Sequence, residues 1–298
     1  MKTRVLLIGS TGLLGSEVLK EFSEDKNFEL NATYRQRLPR LSMSNVSNVK
    51  FLQYDSSAKS LSNHNINLSS FDFVVNCIGA IKQKLYSEND MYTINTVLPR
   101  YLARELQESK TQLINITSDC VFSGGIQSAK TEDFHHDAKD TYGLSKSLGE
   151  VNQSNVINLR TSFIGLENGT NYSLLSWFLS KPQQTHLNGY VNHFWNGITT
   201  LHYAKIIRQL VYINTENLPR TLHIVPRDFV SKYDLLKMFA KYFNREDLAI
   251  SPHTAGPSVY RILSTIHDDL NVKLWTSIGY HEVPTIEQLI KDFRKANE

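Results

Sequence analysis

The segment RVLLIGSTGLLGSEVLKEFSED, residues 4–25, restricts the fold of this chain more than any other. A short apolar run ends in glycines at 9, 12 and 15, and an amphipathic pattern begins among the glycines themselves. Gly9 permits a tight turn, Gly12 lets a ligand approach the backbone, and Gly15 allows the next helix to lie close to the strand. The free N–H groups at the start of that helix, together with its dipole, attract an anion. Strand, turn and helix in this order predict a βαβ unit. They put the pyrophosphate of a dinucleotide against Gly9, Thr11, Gly12, Leu13, Leu14 and Gly15.

The rest of the first half repeats the alternation. Apolar runs at FELNATY, VKFLQYD, FDFVVNCIGA, TQLINITS and NVINLRTSFIG read as strands, and NDMYTINTVLPRYLARELQES and DTYGLSKSLGEVNQ read as helices between them. The fold class that follows is α/β, a doubly wound parallel sheet of Rossmann type with ligands at the carboxyl ends of its strands. Beyond residue 160 the pattern is mixed, with helices at NYSLLSWFLSK, SKYDLLKMFAKYF and TIEQLIKDFRKANE and a strand at TLHIVP. TTLHYAKIIRQLVYI is helical and is expected to return to the first sheet. The expected division is a dinucleotide-binding domain over 1–160, completed by about 197–228, and a smaller C-terminal α/β substrate lobe over 161–196 and 229–298. Residues 244–280 read mostly as loop and receive no chemistry.

Charge and composition exclude several classes. A net charge of +3 spread along 298 residues leaves no basic stripe for a phosphate backbone, so nucleic acid is not an expected partner. No apolar run approaches the roughly 20 residues needed to cross a bilayer, and no signal-peptide pattern precedes the glycines, so a cytoplasmic protein without a membrane partner is expected. Cys77 and Cys120 lie far apart without metal-ligand spacing and read as small buried residues in a reducing compartment. His135 and His136, adjacent in the polar run KTEDFHHDAKD, read as a solvated loop and not as a metal site.

The second strand decides which dinucleotide. An acidic residue at its end would accept hydrogen bonds from both ribose hydroxyls of NAD. FELNATY runs instead into RQRLPR, with Arg35 at the acidic position and Arg37 close behind. Two guanidinium groups suit a 2'-phosphate, so NADP (NADPH) is favoured over NAD. Asp55, closing the third strand, is suited to the adenine amino group.

Tyr142 and Lys146 share one face of a helix, a turn apart. A phenol has a pKa near 10, and lowering it by about three units requires about 4 kcal/mol of preference for the anion. One ammonium at about 4.5 Å supplies about 3.7 kcal/mol at an effective dielectric near 20. Ser118, at the end of the strand INITS, brings a hydroxyl that can hold a carbonyl oxygen beside the phenol. Serine to orient, tyrosine to pass a proton and lysine to tune it form a set for reducing a ketone or oxidising an alcohol beside a nicotinamide.

At these residues the chain resembles the extended short-chain dehydrogenase/reductase family and, within it, the dTDP-4-dehydrorhamnose reductase type. GSTGLLG matches that group's G-x-T-G-x-x-G, TSDCVF is similar to its S-T-D-Y-V-F, and YGLSKSLGE is similar to its Y-G-x-S-K-x-x-G-E. The resemblance spans nearly the whole chain. It implies catalytic roles for Ser118, Tyr142 and Lys146, with further cofactor contacts from Cys77, Gly79, Asn95, Tyr142, Lys146 and Arg160. Substrate contacts are expected from Asp119, Cys120, Val121 and Phe122, and from His193, Trp195 and Asn196 in FWNGITTLHYAKII and its approach. The substrate it implies is a nucleotide-linked deoxysugar with a keto group at C4, reduced during bacterial surface polysaccharide synthesis. Cys120 stands where the pattern has tyrosine, and Thr117 and Ser118 invert its serine-threonine order. The Asp-Glu pair of sugar-nucleotide 4,6-dehydratases is incomplete, because Cys120 follows Asp119. A nucleotide-sugar 4-epimerase and a non-catalytic NADP-binding regulatory subunit stay open as alternatives, as does a homodimer.

Overall fold

Val5, Leu6, Leu7 and Ile8 are all fully buried, so the first strand is covered on both faces, the burial that parallel sheets impose. The computed structural model describes residues 2–39, 48–56, 66–84, 86–167, 169–213 and 217–298. The chain begins with β1 (Thr3–Ile8), α1 (Leu13–Ser23), β2 (Phe28–Tyr34), β3 (Val49–Gln53), β4 (Phe73–Asn76), α2 (Glu88–Tyr92), α3 (Leu98–Glu105), β5 (Gln112–Ile116), α4 (Thr141–Leu148) and β6 (Val156–Arg160). It continues with β7 (Phe163–Ile164), α5 (Leu174–Leu179), β8 (His186–Tyr190), β9 (His193–Trp195), β10 (Ile198–Thr199), α6 (Thr200–Tyr212), β11 (Thr221–His223) and β12 (Val230–Ser231). The last elements are α7 (Lys232–Tyr242), β13 (Ala249–His253), β14 (Val259–Arg261), α8 (Asp268–Ser277) and α9 (Ile286–Lys295).

Two compact units emerge. Unit 1 comprises residues 1–118, 140–160 and 204–222, and unit 2 comprises residues 119–139, 161–203 and 223–298. Residues 119–139, expected with the dinucleotide-binding part, therefore group with unit 2, and the returning segment is 204–222 in place of 197–228.

Unit 1 is built on a seven-stranded sheet in the order β11-β6-β5-β4-β1-β2-β3. The pairings recorded among β1 to β6 are all parallel. This is the doubly wound arrangement expected from the sequence. β1 lies between β2 and β4, so the strand order reverses at its carboxyl end, where the glycine turn stands. Under the sheet Leu6, Ile8, Val74, Leu98, Leu102, Leu113 and Val156 form one apolar cluster, each worth about 1.5–3 kcal/mol on full burial. The helix expected over NDMYTINTVLPRYLARELQES is interrupted, with a π-helical turn over Thr93–Val97 between α2 and α3. Pro99 explains the break, because it has no N–H to give the carbonyl of Asn95 and its ring would crowd that oxygen in a regular helix.

Unit 2 has its own core of Phe178, Leu187, Trp195, Leu235, Phe239, Ile286, Ile290 and Phe293. α7 starts on a Ser231 cap, and α9 starts on a reciprocal capping box of Thr285 and Gln288. β9 pairs with β12 on one side and β14 on the other. The loop expected over 244–280 is corrected here, since that stretch forms β13, β14 and α8. The signals are weak for physical reasons: β13 contains Pro252, β14 is three residues long, and α8 has no side-chain N-cap. Among the described residues no helix is long and apolar enough to cross a membrane.

Candidate active site

The glycine turn has the shape its spacing implies. Gly9 has φ +90°, in the left-handed region, and a Cβ there would meet Ile78 Cγ1 at 2.6 Å. At Gly15 a Cβ would sit 2.0 Å from the carbonyl oxygen of Gly9, so only glycine lets α1 rest on the turn. Gly12 differs, because a Cβ there would meet nothing nearer than Gly9 O at 3.4 Å. The protein itself tolerates a side chain at Gly12, and the bare position leaves room for another molecule. α2, α4, α5, α7 and α9 are capped by Ser87, Asp140, Ser173, Ser231 and Thr285. α1 begins at Gly12 with no side-chain cap and no acidic residue in its first turn, so its N–H groups and dipole are available to an anion. Thr11, Leu13 and Leu14 share this turn, and Thr33 ties it to β2 by accepting from Gly9 N at 2.9 Å.

Arg35 follows the last residue of β2 and is exposed, as is Arg37. The backbone oxygen of Arg35 accepts from Gln53 Nε2 at 3.1 Å, which ties the ends of β2 and β3. Asp55 lies two residues beyond β3, next to buried Tyr54, whose phenol is pushed up to about 12 by burial and further by Tyr101 and Asp55.

β4 ends at Asn76, and Cys77 follows with its N–H on the carbonyl of Ile8 at 2.9 Å. Burial pushes the Cys77 thiol up to about 12, against the pull of Lys146. A Cβ on Gly79 would lie 3.2 Å from Lys146 Nζ and 3.7 Å from Asn95 Oδ1, so Gly79 leaves the surface open in front of both. Asn95 is buried in the π turn. It accepts from Ala80 N at 2.9 Å and donates to Ala80 O and Ser145 Oγ, both at 3.0 Å, joining the loop after β4 to α4.

α4 starts at an Asp140 cap and carries Tyr142 and Lys146 on one face. Lys146 is only 8% exposed, and its ammonium donates to the carbonyl of Ile116, the last residue of β5, at 3.1 Å. Ser118, two residues beyond β5, is buried. Tyr142 packs beside Ala80, Met91 and Ile94. The ammonium of Lys82, a residue the sequence did not single out, lies 5.9 Å from the Tyr142 ring centroid and pairs with Asp140 at 2.9 Å.

Arg160, expected as a cofactor contact, is buried at the end of β6. Its guanidinium grips Glu150 through Nε at 3.0 Å and Nη2 at 2.6 Å, both side chains being buried, and Thr117 Oγ1 donates to the same carboxylate at 2.8 Å. Its visible work is to join the end of β6 to the segment after α4. A second buried polar system was also absent from the sequence reading. Asn76 donates to Asn115 Oδ1 and Asn115 to Asn158 Oδ1, both at 3.1 Å, across register-paired positions of β4, β5 and β6. Asn115 also donates to the carbonyl of Gly149 at 3.2 Å, behind α4. The signal was an asparagine in each of VVN, LIN and VIN.

The expected substrate residues belong to unit 2. Asp119, Cys120 and Val121 form a short 3-10 turn. Val121 and Phe122 are buried against Val225, Leu263 and Phe134, which makes them core residues. Asn196 donates to Leu263 O at 2.7 Å and accepts from Leu263 N at 2.9 Å, so its amide is taken up in pairing with the backbone. His193 is half-buried, and burial, then Lys232, holds its imidazole below the usual range. The ring of buried Trp195 lies 5.3 Å from the ammonium of Lys232, and Arg261 Nη1 donates to Cys120 Sγ. Neither Lys232 nor Arg261 was singled out in the sequence.

A seven-stranded parallel sheet, a glycine turn at its switch point and a Tyr-x-x-x-Lys helix beside β5 define the class of an extended short-chain dehydrogenase/reductase. The chain belongs to the RmlD substrate binding domain family, whose model matches residues 3–295. It is similar to methionine adenosyltransferase 2 subunit beta of Bos taurus, at 25% identity over 271 residues, covering 86% of this chain and 77% of that protein. Among solved structures it is similar to a dTDP-4-dehydrorhamnose reductase of Clostridium acetobutylicum, with 19% identity, TM-score 0.73 and 99% of both chains covered. The dTDP-4-dehydrorhamnose reductase of Bacillus anthracis, solved in complex with NADP, is similar at 18% identity and TM-score 0.72, covering 99% of this chain and 100% of that one.

Proposed function

We propose that the protein uses NADPH to reduce the 4-keto group of a nucleotide-linked deoxysugar of the kind built into bacterial surface polysaccharides. The observation that carries this reading is the buried ammonium of Lys146, held on Ile116 O behind the bare surface of Gly79 and one helical turn from Tyr142. The glycine turn, Arg35, Arg37 and Asp55 would hold the dinucleotide, the uncapped start of α1 facing its pyrophosphate and the two guanidinium groups its 2'-phosphate. When bound, the nicotinamide supplies the hydride.

The residues of the chain do the rest. Ser118 orients the ketone oxygen and Tyr142 gives that oxygen a proton. Positive charge from Lys146 and Lys82 offsets the negative charge left on the phenol. Asn95 and the Arg160–Glu150 pair hold the loops around α4 in place. NADPH consumption with a panel of dTDP- and UDP-linked 4-keto-6-deoxysugars tests the reading. Turnover that depends on Tyr142 supports it, and tight NADP(H) binding with no turnover on any member sinks it. That second outcome would favour a regulatory subunit, an alternative supported by the similarity to methionine adenosyltransferase 2 subunit beta over 86% of the chain.

A further inference from the structure

We infer that Lys82, anchored on Asp140, is a second cation acting on the phenol of Tyr142, and that it makes the acidity of that phenol respond to ionic strength. The use of this tuning in turnover rests on the proposed reductase reading, whereas the tuning itself does not.

The loop after β4 fixes Lys82 in place. Asn95 holds Ala80 from both sides, accepting from its N–H at 2.9 Å and donating to its carbonyl at 3.0 Å, and Lys84 N closes a turn on Ile81 O at 3.2 Å. Between these fastenings Lys82 reaches α4. Its ammonium pairs with Asp140 Oδ1 at 2.9 Å and lies 5.9 Å from the centroid of the Tyr142 ring. As a stabilising contact the pair is minor, because its side chains are 47% and 43% exposed and such pairs contribute little. Its effect is on the charge beside the ring.

A pair without net charge acts on a third group only if one of its two charges is offset elsewhere. Asp140 is the cap of α4, and the same Oδ1 accepts from Gly143 N at 3.0 Å, at the positive end of the helix dipole. The dipole offsets the carboxylate and leaves the ammonium over the ring. Phenolate charge is shared between the oxygen and the ring, so a cation there favours the ionised phenol.

The other groups around Tyr142 act in both directions. Lys146, one turn along α4, favours the phenolate from a buried position. Cys77 stays a neutral thiol, since burial pushes it up to about 12. On α2, Glu88 accepts from Thr141 Oγ1 at 2.8 Å and opposes the phenolate, while Asp90 is engaged in the Ser87 cap. Tyr86 packs in the same apolar cluster as Tyr142. The two lysines differ in screening. Lys146 is 8% exposed and little affected by salt, whereas Lys82 is within reach of solvent ions. Glu88 is exposed as well, so the difference between the parent chain and Lys82→Gln is what isolates the lysine.

Carbon-13 NMR of the full chain labelled at tyrosine Cζ reads the ionisation directly, with Tyr142→Phe identifying the Tyr142 signal. Lys82→Gln should raise the Tyr142 midpoint by about one pH unit, a tenfold loss of acidity and the lower end of what a neighbouring cation supplies, because Lys82 is half exposed. Lys82→Arg should bring it back to within about 0.3 unit, since the guanidinium keeps the charge. Lys110→Gln, at an exposed position of the same unit, should leave it unmoved. Raising salt from about 20 mM to about 500 mM should raise the midpoint by about half a unit in the parent and by less than half as much in Lys82→Gln.

A Lys82→Gln midpoint within about 0.2 unit of the parent's, or a parent midpoint that salt does not move, overturns the inference. If Lys82→Gln fails to fold in a thermal melt, the salt series on the parent still decides, a rise supporting the inference and its absence overturning it. NADPH turnover with the keto-sugar panel is then followed against pH. An alkaline limb that moves with the NMR midpoint joins the tuning to the reaction. A midpoint that moves as stated, with no turnover by the parent, sinks the proposed reaction and leaves the role of Lys82 standing.

Discussion

Lys146 of unit 1 and Lys232 of unit 2 are both drawn away from solvent and both lie on helices, yet different atoms hold them. Lys146 rests on a backbone carbonyl, that of Ile116, with the bare backbone of Gly79 in front of it. Lys232 is surrounded by side chains, Asp119, Cys120, Arg261 and Trp195, contributed by three separate stretches of chain. A carbonyl cannot be removed by substitution, so the first arrangement survives wherever the strand, the glycine and the helical spacing survive. The second exists only while several particular side chains coincide. Unit 1 therefore holds its lysine in a frame set by the backbone, and unit 2 holds its own through particular side chains.

The sharpest way to break this contrast is at Tyr142. Replacement by phenylalanine should lower NADPH-dependent turnover by about 10³-fold while the fluorescence-titrated affinity for NADPH stays within twofold, since only the proton donor is lost. Undiminished turnover would mean the frame in unit 1 is not where the proton comes from. Next in size is Glu150→Gln, which leaves the buried guanidinium of Arg160 without its carboxylate. It should cost about 3 kcal/mol of stability by denaturant unfolding, an effect that salt barely changes because the pair is buried.

Gly15→Ala and Gly12→Ala sharpen the picture of the turn. The first forces a methyl against Gly9 O and should destabilise by about 2 kcal/mol, while the second should leave the melting temperature nearly unmoved and weaken NADPH binding. Equal melting shifts for the two would deny that Gly12 is bare for a ligand's sake. Arg35→Asp should move the ratio of catalytic efficiencies toward NADH by about tenfold, through lost attraction and new repulsion at the 2'-phosphate.

The smallest effect belongs to unit 2 and is one of pH. Lys232, lowered to about 8, carries its charge below that value and sheds it above, with Asp119, Cys120, Arg261 and His193 as the neighbouring titratable or charged groups. The Lys232 side-chain signal in an NMR titration should therefore show the ammonium losing its proton as pH rises from 7 to 9, and that step should be missing in Lys232→Arg, whose guanidinium stays charged.

The same contrast explains what could be read from residues alone. The sheet, its parallel pattern and the glycine turn were legible because each rests on local periodicity or on a steric demand that only glycine meets, as at Gly9 and Gly15. Tyr142 and Lys146 were legible because helical spacing is visible in one dimension. Arg261 was not, because β14 is three residues long and stands in a stretch that reads as loop. Lys232 looked like any charged residue at a helix start. Val121, Phe122 and Asn196 were assigned to substrate because they neighbour informative motifs, whereas packing and backbone pairing claim them. The interrupted helix was written in Pro99, whose effect on Asn95 can be read once the two are seen to be four residues apart.

The row of asparagines across β4, β5 and β6 has a consequence for how this chain can evolve. Each amide in the row answers to the next, so a single aliphatic replacement at Asn115 takes the acceptor from the buried Nδ2 of Asn76, while Asn158 keeps its bonds to Val151 and Arg220. Relatives should therefore keep Asn76 and Asn115 as a pair or exchange them together for apolar residues, and chains with Asn76 alone should be rare. The row also levels three neighbouring strands like the rungs of a ladder. The segments leaving the ends of β4 and β5, with Gly79 and Ser118, start from register-paired positions before any ligand arrives.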